Sequence, residues 1–184
     1  MSFTSEPRWH RHKRGPASPA NGPLRSWLLD RGSLTERLIK LSHGDFGVEV
    51  IRQQMAFPRP SERKVLSMRH HQLALIREVI LLGGGRPWVY ARSVIPQTSL
   101  NGRLRGLRKL DNRPLGALLF SDPHMRRGAI ELACQDTRQL PLPGPLQGIQ
   151  ATIPGRRSLF WLDNKPLLVC EMFLPEFTPY NTPL

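Results

Sequence analysis

The chain has 184 residues, 39% of them apolar, and a formal net charge of +13. That length supports one sizeable hydrophobic core. The composition excludes a disordered chain, and no apolar run approaches the roughly 20 residues of a membrane-crossing helix. The charge raises the question of a polyanionic partner, but its distribution argues against a specific one. Arg8, Arg11, Lys13 and Arg14 fall in the N-terminal stretch, Arg103, Arg105, Arg108 and Lys109 in one short segment, and the rest are dispersed. No zinc-finger spacing, RNA-binding aromatic signature or phosphate-binding glycine loop accompanies them. The charge alone implies salt-sensitive, non-specific affinity, and the chain does not read primarily as a nucleic-acid binder.

Residues 1–22 are basic and broken by Pro, Gly and Ser. They are expected to form an unstructured leader, and lacking an apolar stretch after the charges they do not read as a secretory signal. The expected compartment is the cytoplasm and the expected state a monomer. From Pro23 a helical turn carries Leu24, Trp27 and Leu28, and Gly32 interrupts it. Ser33 and Glu36 have capping-box spacing, so a second helix starts there with Leu34, Leu38 and Leu41 on one face.

Phe46, Val48 and Val50 alternate as in a strand that runs to Phe57 and ends at Pro58 and Pro60. Residues 61–71 read as a charged helical turn or loop. Leu73–Leu82, the turn GGGRP and Trp88–Ile95 form a β-hairpin. Thr98 or Ser99 caps a helix containing Leu100, Leu104 and Leu107, and Pro114 opens another over PLGALLF. A strand follows through Gly128, Ile130, Leu132 and Cys134, then a long loop over 136–155. Arg157–Asp163 and Pro166–Leu174 form a closing hairpin about Asp163-Asn164-Lys165. The expected fold is α+β: a six-stranded antiparallel sheet with short helices on one side. Cys134 and Cys170 lie in apolar runs and are expected to be free thiols.

Three strand charges stand among apolar neighbours. Arg77 shares its face with Leu75, Val79 and Leu81, Arg92 with Trp88, Tyr90 and Val94, and Glu171 with Leu167, Val169 and Phe173. A buried lone charge costs several kcal/mol, so each is either paired with another charge across the sheet, exposed at a sheet edge, or matched by a ligand, and three together favour the ligand. Two guanidinium forks and a carboxylate suit a small molecule with two acidic groups and one hydroxyl. His70 and His71 are adjacent and point to opposite faces of a strand, a poor metal pair, and no metal site is expected.

These same residues carry a resemblance. The stretches WLLDRGSLTERL, IREVILLGGGRPWVYARSVIPQTSL, RPLGALLF and KPLLVCEMFLP resemble the chorismate lyase family over roughly residues 27–175. The resemblance implies a catalytic domain over 23–184 that converts chorismate to 4-hydroxybenzoate and pyruvate without a cofactor, opening ubiquinone synthesis. It implies a ligand enclosed beneath helical flaps. By correspondence Arg77 binds the ring carboxylate, Glu171 meets the ring hydroxyl, and the Leu115 main chain helps hold the ligand. Leu34 stands where the family carries a methionine, and Arg92 faces the enolpyruvyl carboxylate. A related fold serves bacterial transcription regulators as an effector-binding domain. The rival readings are therefore a non-catalytic sensor for an aromatic acid and a basic interaction protein.

Overall fold

The computed structural model describes residues 6–13, 15 and 18–179. Six long strands make the sheet: β2 (Phe46–Ala56), β3 (Ala74–Gly83), β4 (Arg86–Pro96), β6 (Glu131–Asp136), β7 (Thr152–Leu162) and β8 (Lys165–Phe173). Two strands of two residues, β1 (His10–Arg11) and β5 (Arg126–Arg127), bring the number among the described residues to eight. The order is β1-β6-β7-β8-β4-β3-β2, with β5 pairing β7, and every pairing is antiparallel. The fold is α+β.

The turn between β3 and β4 is made by Gly84 and Gly85, at φ +58° and +71°. Left-handed backbone at both positions suits glycine and matches the twist of a two-residue hairpin. Asp163 and Asn164 make the equivalent turn between β7 and β8 at φ +50° and +61°.

One face of the sheet is covered by α1 (Arg25–Leu28), α2 (Leu34–Leu41), the 3₁₀ turns around 97–109, and α4 (Leu115–Ser121). Ser33 caps α2 as its spacing predicts, its Oγ accepting from Glu36 N at 3.3 Å. Trp27, Leu28, Leu34 and Leu38 pack on Val79, Leu81, Val89 and Phe173, while Leu104, Leu107, Leu115 and Leu119 pack on Leu75, Ile95 and Phe160. The opposite face is covered too. There α3 (Pro60–Val65) adjoins a cluster of Leu66, Ile76, Val94 and Leu168, and Leu142 and Leu146 of the 137–151 segment cover Ile80, Tyr90 and Met172. No helix among the described residues is long and apolar enough to cross a membrane.

The expected unstructured leader needs correction. Residues 10 and 11 pair with Leu132 and Glu131 at the sheet edge, and Glu6 accepts hydrogen bonds from Ser61 N and Oγ at 3.1 and 2.7 Å. Trp9 packs against two of the core clusters. An aromatic anchor and an open edge hold a segment that composition alone reads as unstructured. Residues 1–5, 14, 16 and 17 lie outside the described residues. Both cysteines are free, with Cys134 exposed and Cys170 buried, and burial pushes the Cys170 thiol up to about 12.

Candidate active site

Strand alternation sends one set of side chains toward the flap helices. These are Arg77, Val79 and Leu81 from β3, Ala91 and Ser93 from β4, Val169 and Glu171 from β8, and Arg156 and Phe160 from β7. The first turns of α2 and α4 close over them through Leu34, Thr35, Leu115 and Gly116. The space between these walls, mouth included, is about 560 Å³. The flaps touch closely: a Cβ on Gly116 would stand 2.7 Å from Thr35 Oγ1.

Arg77 is 2% exposed. Its Nη1 donates to Asp111 O (2.9 Å) and Gln53 Oε1 (3.3 Å), and its Nη2 to Arg113 O (2.8 Å). The head is thus fixed by the turn that precedes α4. Its Nε–H and one Nη2–H have no acceptor among the described residues, and a guanidinium with two such donors can take a carboxylate. Burial lowers the Arg77 pKa against the opposing pull of Asp111, but a guanidinium stays charged at neutral pH. Beside it, α4 starts just after Pro114, which caps it with no side-chain hydrogen bond, so the Leu115 and Gly116 N–H groups are orphaned by position at the cavity wall. The Leu34 and Thr35 N–H groups are orphaned likewise at the start of α2. Helix N-termini beside a fixed guanidinium favour a bound anion.

Glu171 stands two strands away from Arg77, roughly 10 Å across the sheet. Its Oε2 accepts from Arg156 Nε at 2.6 Å, and its Oε1 has no donor among the described residues. Arg156 is 1% exposed and also donates from Nη1 to Trp27 O and Asp30 O, both at 2.7 Å. It therefore ties the segment leading into α2 to the carboxylate. Arg127 lines the same cavity, and burial followed by the charge of Arg156 pushes it down to about 10. Three guanidinium groups against one carboxylate leave the cavity lining with a surplus of two positive charges.

The structure brings together Arg77, Glu171, Leu34 and Leu115 but not Arg92, whose expected place in the site needs correction. Arg92 is 5% exposed on the other face. Its Nε and Nη2 donate to Glu62 Oε1 and Oε2 at 2.7 and 2.9 Å, and its Nη1 donates to Glu78 Oε1 at 2.9 Å. Tyr90 Oη donates to the same Glu78 oxygen at 2.6 Å, and Arg52 Nη2 lies 2.6 Å from Glu78 Oε2. The cause is a bulge. A regular hairpin about Gly84–Gly85 would place Arg92 opposite Arg77, but a register shift between Leu81 and Leu82 moves Ser93 there and sets Arg92 opposite Glu78. One residue of slip exchanges faces.

The reading of the sequence missed Arg156 and Arg127. The signal for Arg156 was available, since alternation places it on one face with Ser158, Phe160 and Leu162. Arg127 sits on a two-residue strand that periodicity does not reveal.

The chain matches the family model described as chorismate lyase over residues 12–180. It is 44% identical to a protein named probable chorismate pyruvate-lyase from Marinobacter nauticus, over 89% of this chain and 81% of the relative. It is also 44% identical to one of the same name from Methylococcus capsulatus, over 83% and 94%. Among solved structures, the effector domain of PhnF from Mycobacterium smegmatis shares the fold at a TM-score of 0.57 and 18% identity, over 80% of this chain and 91% of that domain. The ligand-binding domain of a putative GntR-family transcriptional regulator from Bordetella bronchiseptica does so at 0.52 and 14%, over 72% and 86%.

Proposed function

The chain belongs to the chorismate lyase family, and from that premise we propose that it converts chorismate to 4-hydroxybenzoate and pyruvate, the opening step of ubiquinone synthesis. The observation that carries this reading is the enclosed cavity with a fixed, two-donor guanidinium at Arg77 and a carboxylate acceptor at Glu171 on its far side. A para-hydroxy aromatic acid presents complementary groups at its two ends.

In this reading the ring carboxylate of chorismate takes the Arg77 fork and the orphan N–H groups of Leu115 and Gly116. Glu171 Oε1 accepts from the ring hydroxyl. The hydrogen on the hydroxyl-bearing ring carbon leaves as a proton, and its electron pair becomes the new ring double bond. The neighbouring carbon–oxygen bond breaks, and its pair departs with the enolpyruvyl oxygen. The methylene of that fragment takes up a proton to give pyruvate. Atoms and electrons balance within the substrate, so the step calls for no redox cofactor, and aromaticity drives it. Glu171 receives the ring proton in this reading. Leu34, Leu115 and the Thr35–Gly116 contact close the site against water, which strengthens each electrostatic contact within it.

The test is incubation of the purified protein with chorismate, following both products. Equal amounts of pyruvate and 4-hydroxybenzoate are expected. Binding of 4-hydroxybenzoate with no pyruvate released would make the protein an aromatic-acid sensor instead.

A further inference from the structure

Arg127 is unaccounted for by a ring acid held between Arg77 and Glu171. It projects from β5, opposite Phe160 of β7, with its guanidinium carbon 5.1 Å from the Phe160 ring centre. Its Nε donates to Ser158 Oγ at 3.2 Å and its Nη1 to the carbonyls of Asp30 (3.2 Å) and Gly32 (3.5 Å). It makes no ion pair among the described residues, and its Nη2 has no acceptor there. The neighbouring Arg156 is in the same condition at Nη2, its Nε and Nη1 being engaged by Glu171, Trp27 and Asp30. Two half-free cations thus share the Glu171 end of a cavity whose lining carries two surplus positive charges.

We infer that Arg127, together with the free Nη2 of Arg156, seats the second carboxylate of the substrate, the one on its three-carbon enolpyruvyl arm. This rests on the chorismate reading of the cavity. With the ring carboxylate on Arg77 and the hydroxyl on Glu171, the ether oxygen leaves the ring from the carbon next to the hydroxyl. The arm therefore starts at the end where Arg156 and Arg127 stand. A dianion cancels the surplus charge. 4-Hydroxybenzoate, with one carboxylate, leaves Arg127 unmatched, so Arg127 is the residue that tells substrate from product. Arg92, bound to two carboxylates on the opposite face, has no free fork for this task.

The experiment compares wild type, Arg127→Met and Arg127→Lys in kcat/KM for chorismate and in Kd for 4-hydroxybenzoate. Methionine preserves an apolar body against Phe160. Loss of a charge-assisted pair predicts a fall in kcat/KM of about 10–100-fold for methionine. The Kd for 4-hydroxybenzoate should stay within about threefold, and lysine should recover part of the loss by restoring charge without the fork. A measurement on the wild type stands beside this should the methionine variant fail to fold. The unreactive dianion 3-(carboxymethoxy)-4-hydroxybenzoate should bind more tightly than 4-hydroxybenzoate, and the lysine variant should narrow that gap. An active wild type whose Arg127 variants lose both quantities equally, or neither, overturns this inference alone, as does equal affinity for the two acids. A wild type inactive on chorismate overturns the family-based reading and this inference with it.

Discussion

Replacing Arg92 with methionine strands a carboxylate in the interior. Glu62 is buried, and both of its oxygens accept from Arg92; without that guanidinium it keeps only the Arg59 N–H at 2.8 Å. Glu78 retains Tyr90 and Arg52, so the damage centres on Glu62. Breaking a buried pair from one side costs about 3–5 kcal/mol. For a chain of this size that is a fall of roughly 6–20 °C in Tm. The pH dependence carries the sign. In the wild type, burial is the largest influence on Glu62 and raises its pKa, but the hydrogen bonds and charge of Arg92 outweigh it and hold the carboxyl below 4.5. That contribution to stability is present above the unfolded value and is lost as pH falls through the folded one. In Arg92→Met, burial acts with little opposition and the folded pKa rises above the unfolded value. The native state of the variant then binds the extra proton, and its stability falls as pH rises through that window. Urea unfolding at pH 5 and pH 7 should therefore show the gap between wild type and variant shrinking at pH 5. A gap below about 1 kcal/mol, or one that does not change with pH, would refute the account of this network. A stable but inactive Arg92→Met would return Arg92 to the site.

Arg77→Ala removes the two-donor fork and should weaken 4-hydroxybenzoate binding by at least about 100-fold in a calorimetric titration; unchanged affinity would remove Arg77 from the site. Glu171→Gln keeps an acceptor but no base. It should lower kcat by about 100-fold while shifting product affinity less than tenfold, and full turnover would show that no proton passes to Glu171. In Gly155→Ala the new Cβ would overlap Met172 Sδ and lie 2.9 Å from Glu171 O, so a loss of about 1–3 kcal/mol is expected in denaturant unfolding. Tyr90→Phe deletes a 2.6 Å hydrogen bond to the charged Glu78 and should cost about 1.5–3 kcal/mol by the same measurement.

Local chemistry wrote the strands and turns plainly. Gly84–Gly85 and Asp163–Asn164 mark both long hairpins, and the apolar faces of Leu75–Leu81 and Leu167–Phe173 mark the strands beside them. Arg77 and Glu171 could be picked out because each is a charge on an apolar face. What stayed hidden depends on register. The bulge after Leu81 turns Arg92 away from Arg77, and no periodicity in the sequence announces it. Glu62 lies in a short charged helix, and only the folded chain shows that it meets Arg92 from the far side of the sheet. Arg127 depends on a pairing with Phe160 more than thirty residues away. In the N-terminal stretch Trp9 carried a signal for docking, and the surrounding basic residues masked it.

A crystal structure of the protein with 4-hydroxybenzoate bears most directly on the central claim. The acid is expected in the flap-covered cavity, its carboxylate on the Arg77 fork and the first turn of α4, its hydroxyl on Glu171 Oε1. An acid bound on the opposite face beside Arg92, or turned with its carboxylate toward Arg127, would contradict it.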